Sequence, residues 1–132
     1  MAGYSGKTLA QKLGLKPHMR VVFLRMPGSV GESLQPLPAD LVVLKALAKE
    51  MDYVHYFADQ TADLEGMMAK LKEALAKDGS LWISWRKGRK GTDLTENAVR
   101  LLALAAGLVD VKVCAVDETW SGLKLVYRVK DR

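Results

Sequence analysis

The chain has 132 residues, a net charge of +5, 49% apolar and 27% charged residues, and a single cysteine. That length suits one domain with a core of its own, and the composition excludes a disordered tail, a disulfide scaffold and a coiled coil. No apolar run approaches the ~20 residues of a membrane-spanning helix.

The opening residues also carry no apolar signal-peptide stretch, so a cytoplasmic, single-domain protein over residues 1–132 is expected. Arg86, Lys87, Arg89 and Lys90 fall within five residues and account for four of the five net charges, which points to an anionic partner at one loop. Cys114 lies between Val113 and Ala115 and reads as a buried structural thiol.

Ser5–Leu13 reads as a short helix capped by Ser5 or Thr8 and stopped by Gly14. Arg20–Met26 is an apolar, β-branched strand, followed by a turn-rich loop at Pro27-Gly28-Ser29-Val30-Gly31. Leu41–Leu47 fits strand or helix, and Asp52–Ala58 fits a strand. Thr61 is a candidate N-cap for a helix whose Leu64, Met67, Met68, Leu71 and Leu75 share one face, with Gly79 as its stop. With the strand Ser80–Trp85 this makes a βαβ unit.

Asp93 and Glu96 have capping-box spacing ahead of a helix that turns Val99, Leu102, Ala103 and Ala106 inward. Asp110–Val116 and Leu123–Val129 alternate and form a terminal β-hairpin. The expected fold is a three-layer α/β sheet of Rossmann-like type, mostly parallel and ending in an antiparallel hairpin.

This order of elements resembles a methyltransferase sheet that lacks one strand and one helix of the first half. Tyr4-Ser5-Gly6, Lys12-Leu13-Gly14, Asp93-Leu94-Thr95, the run Val111–Glu118 and Trp120-Ser121-Gly122-Leu123-Lys124 resemble a small bacterial family of domains of unknown function. The resemblance covers nearly the whole chain. It implies a short cytosolic protein and brings no reaction with it.

An S-adenosylmethionine site would need a glycine-rich loop after the first strand and a carboxylate ending the second. Gly28 and Gly31 half meet the first need. The second fails unless Glu50 reaches back, so this cofactor is disfavoured. Gly6-Lys7-Thr8 lacks the strand and second glycine of a phosphate loop, and no nucleophile elbow is present. His55 sits inside a strand with no acid or nucleophile predicted beside it, and Asp117 and Glu118 point to opposite faces. No catalytic residue or metal ligand is assigned.

The reading is therefore a non-catalytic binding domain for a small anionic or nucleotide-like ligand. The expected ligand residues lie at the carboxyl edge of the strands: Gly28, Gly31, Asp59, Trp85, Arg86, Lys87, Arg89 and Lys90. The alternative is a protein-interaction domain, motivated by an exposed-looking Trp120. Nucleic-acid binding through the same loop lacks a reading motif, and residual methyl transfer lacks its motif set.

Overall fold

The computed structural model describes residues 7–132, the side chain of Arg89 excepted. Six strands form one sheet in the order β2-β1-β3-β4-β6-β5. They are β1 (Arg20–Leu24), β2 (Val42–Leu44), β3 (Met51–Phe57), β4 (Leu75–Arg86), β5 (Leu108–Ala115) and β6 (Trp120–Tyr127). The pairs β1–β2, β1–β3 and β3–β4 are parallel, while β6 is antiparallel to both β4 and β5. The helices are α1 (Leu9–Lys12), α2 (Gly28–Ser33), α3 (Thr61–Ala74) and α4 (Glu96–Ala105).

The strands alternate between two cores, as period-two geometry requires. Val22, Val54, Tyr56, Ile83, Trp85 and Leu125 face α3 and α4, while Val21, Tyr53, Phe57, Trp82 and Trp120 face α1 and α2. The result is the three-layer α/β arrangement that the sequence predicts, hairpin included.

Several local expectations change. The Pro27–Gly31 segment is the start of α2, not an open loop, because Val30 and Leu34 are one helical turn apart and both buried. Leu41–Leu47 resolves as a three-residue strand, and α1 is shorter than expected, with Thr8 making a full capping box to Gln11 and Ser5 lying outside the described residues. The α3 N-cap is Gln60, with Thr61 its first helical residue. Thr95, not Asp93, caps α4, its hydroxyl accepting from the Ala98 N–H at 3.1 Å. In α4 only Val99 and Ala103 are fully buried.

The hairpin strands begin earlier than expected, and Val111 and Val113 of the edge strand β5 are about half exposed, with Cys114 only partly buried beside them.

Gly79 does not stop α3. That helix ends at Ala74, where Leu75 turns extended, and Gly79 lies inside β4 at an irregular register against β3. A Cβ there would lie 2.6 Å from the Met51 carbonyl oxygen, a backbone atom fixed in β3. Gly79→Ala is therefore expected to cost about 1–3 kcal/mol, read as a lower urea midpoint at unchanged slope. An unchanged midpoint would mean that β4 does not approach β3 as closely as this.

Candidate functional site

In an open parallel sheet, ligands bind beyond the carboxyl strand ends. Here that edge is formed by the residues after β1, β3 and β4, and their side chains bond mainly to one another. Arg25 follows β1 at φ 62°, a left-handed conformation that side chains rarely adopt. Its guanidinium donates to Asp63 at 2.9 Å, and the Tyr56 hydroxyl donates to the other oxygen of that carboxylate at 2.6 Å. The Asp59 N–H donates to Asp63 as well, at 3.0 Å. Burial alone would raise the Asp63 carboxyl, but these hydrogen bonds and the charge of Arg25 hold it below the usual carboxylate range.

Asp59, one of the expected ligand residues, forms an ion pair with Arg86. Arg86 also donates to the carbonyls of Lys90 at 3.1 Å and Gly91 at 3.0 Å, which shapes the basic turn from within. Its guanidinium carbon lies 5.5 Å from the centre of the Trp120 ring. Lys87 donates to the Asp117 carbonyl at 2.7 Å. Asp117 in turn accepts from the Thr119 and Trp120 N–H groups at 2.8 and 2.7 Å, so it shapes the hairpin turn. Asp93 accepts from the Thr61 N–H at 2.7 Å, giving the start of α3 a cap supplied from another segment.

The structure brings part of the expected site together. Arg86, Lys87 and Lys90 line one cleft of about 240 Å³ with Gly88, Glu118 and Thr119. Gly28 and Gly31 do not join them, being wound into α2. Trp85 is buried at 5% exposure in the α3/α4 core, with no free face for stacking. Trp120 is buried at 8% exposure and packs edge-on against Phe57, ring centres 5.3 Å apart, so it is not an exposed docking residue. The side chain of Arg89 lies outside the described part.

Neither requirement for an adenosyl cofactor is met by these residues. The glycines after β1 form a helix, and β2 ends without a carboxylate. Glu50 immediately precedes β3 and so lies at the amino edge of the sheet, away from this rim. Among the described residues no cluster of three His, Cys, Asp or Glu side chains could hold a metal ion.

One arrangement was not legible in the sequence. The His55 ring, fully buried and stacked 4.3 Å from the Phe57 ring, has Tyr53 Oη 2.9 Å from Nδ1 and Ser84 Oγ 2.7 Å from Nε2. Positions 53 and 55 share a strand face, which the alternation could have suggested. Ser84 enters only through the β3–β4 pairing. The serine is fully buried, so the chain of hydrogen bonds satisfies the core without presenting a nucleophile to solvent.

The fold has many solved counterparts. A SAM-dependent methyltransferase from Aquifex aeolicus is similar at a TM-score of 0.59 and 15% identity, over 87% of this chain and 85% of that one. The magnesium protoporphyrin IX methyltransferase from Synechocystis PCC 6803, with bound SAM, is similar at 0.61 and 14%, over 91% and 74%. The ribosomal protein L11 methylase from Lactobacillus delbrueckii subsp. bulgaricus is similar at 0.62 and 14%, over 91% and 75%. At such identities the likeness is one of fold. No curated protein matches the chain. No helix among the described residues is long and apolar enough to cross a membrane. Residues 10–129 match the family described as Protein of unknown function (DUF3052), and the chain belongs to that family.

Proposed function

We propose that this methyltransferase-like domain acts by binding, without catalysis, and that its ligand is a small anion or nucleotide-like molecule seated at the basic turn. The observation that carries this reading is the cleft between Lys87, Lys90 and the β5–β6 turn. Lys87 has one bond to the Asp117 carbonyl, which leaves two of its three ammonium donors to face a ligand. The methyl-transfer reading loses support because the edge that would hold the cofactor is spanned by the Arg25–Asp63 and Arg86–Asp59 pairs. The protein-interaction reading loses its motivating residue with the burial of Trp120.

Thermal unfolding against nucleotides, inorganic phosphate, S-adenosylmethionine and S-adenosylhomocysteine tests the proposal. A ligand at ~100 times its Kd stabilises by about 2.7 kcal/mol, roughly a ten-degree rise at this size. The rise is expected with nucleotides or phosphate and is lost in Lys87→Ala/Lys90→Ala. A rise confined to the adenosyl compounds, or one unchanged in that variant, overturns the assignment.

A further inference from the structure

A second group of cations lies away from the basic turn, on the sheet face that carries α1. Lys112 of β5 and Lys124 of β6 are directly paired across the antiparallel ladder. Their side chains therefore rise from the same face within about 5 Å of each other at Cβ, an arrangement that destabilises a sheet when the charges are alike. Both reach toward the end of α1. Lys112 donates to the Lys12 carbonyl at 2.9 Å, and Lys124 Nζ lies 3.9 Å from where a Cβ on Gly14 would stand. Lys16 follows on the same turn and is exposed.

The ordinary explanation, a lysine serving a helix's last carbonyls, covers Lys112 alone. Lys16 and Lys124 have neither a carboxylate nor a hydrogen-bond acceptor at their ammonium groups among the described residues. Burial lowers the affinity of Lys124 for its proton, and the charges of Lys112 and Lys16 lower it further, with no acidic group opposing them. A fold gains nothing from three like charges gathered beside one short turn.

We infer that Lys16, Lys112 and Lys124 form a second anion site, which takes the phosphate chain of a di- or triphosphate. A compact, multiply charged oxyanion can touch all three ammonium groups at once and cancel their repulsion. A monovalent anion could neutralise only one of them. Sequence spacing hides the site, since its members stand at positions 16, 112 and 124, and only the hairpin register pairs Lys112 with Lys124 and brings Lys124 to the turn that ends α1, two residues before Lys16.

The test uses the Lys87→Ala/Lys90→Ala protein, in which the basic turn is disabled, so that the two sites are judged separately. Inorganic triphosphate is titrated at low salt and thermal unfolding is followed. The midpoint is expected to rise by several degrees. Adding Lys124→Met should abolish the rise while leaving the unliganded midpoint unchanged or higher, because a repelling charge is gone. Adding Lys124→Arg instead should preserve the rise. Adenosine triphosphate, run alongside, should match inorganic triphosphate, since the phosphate chain is what the site reads.

No rise in the Lys87→Ala/Lys90→Ala background overturns the inference, even if the wild-type protein responds. So does a rise that survives Lys124→Met, or one seen with adenosine triphosphate alone.

Discussion

Trp82→Ala is expected to lower the unfolding free energy by about 3–5 kcal/mol, among the largest losses a single truncation can cause in a domain of this size. Trp82 is fully buried at the middle of β4, and its indole N–H donates to the Leu13 carbonyl at 2.9 Å. That carbonyl belongs to the last turn of α1, so one side chain both fills the α1/α2 core and anchors the helix over it. The site cannot collapse easily: Gly122 lies against the ring, with a Cβ position only 3.0 Å from Trp82 Cε3, and both groups are fixed in paired strands. Trp82→Phe keeps much of the volume but removes the donor and three heavy atoms, so a smaller loss of about 1–3 kcal/mol is expected. Urea titrations of the two variants measure both numbers. A loss below about 1 kcal/mol in Trp82→Ala would mean that α1 is not held on this face.

The second large effect is acid sensitivity centred on His55. Burial drives its ring pKa from 6.5 down to about 3, and no carboxylate is hydrogen-bonded to it to favour the charged form. The ring is therefore neutral in the fold and binds a proton more readily once unfolded. Its contribution is fully present above pH ~6.5 and is lost as pH falls from there toward about 3. The slope approaches about 1.4 kcal/mol per pH unit below the unfolded pKa, which integrates to about 2 kcal/mol between pH 6.5 and pH 4.5. Most of this range lies above the titration of ordinary carboxylates. His55→Gln keeps an amide for Tyr53 and Ser84 but has no titration, so the pH dependence of its unfolding free energy should flatten by one proton. An equal slope in the two proteins would contradict a buried, neutral His55.

The elements that read correctly from sequence are those with a strong period. The α3 face through Leu64, Met68 and Leu71 is buried, and Trp82 and Trp85, three apart on one strand, point to opposite sides of the sheet as period-two geometry requires. The expectations that moved depend on contacts between distant residues. The Pro27–Gly31 segment carries too few apolar positions to announce a helix, and only the burial of Val30 and Leu34 under the sheet makes it one. Asp93 has the spacing to cap its own helix but caps α3 across space instead. The positive charge at residues 86–90 was legible, but the use of Arg86 by Asp59 and of Lys87 by the Asp117 carbonyl was not, because both partners come from other loops. Trp120 read as exposed because turns are usually exposed. Phe57, more than sixty residues earlier, covers it.

The place of β6 in the sheet has a consequence for how the molecule is made. Trp120–Tyr127 is synthesised after all the other strands, yet it sits inside the sheet, between β4 and β5. Until it leaves the ribosome, the nascent chain carries β4 with one edge open and the apolar side chains of Leu81, Ile83 and Trp85 without their Leu123 and Leu125 neighbours. Such an edge invites pairing with other chains. Native closure of the sheet must therefore wait for residues 120–127, and a translation pause before residue 120 would hold the chain at its stickiest stage.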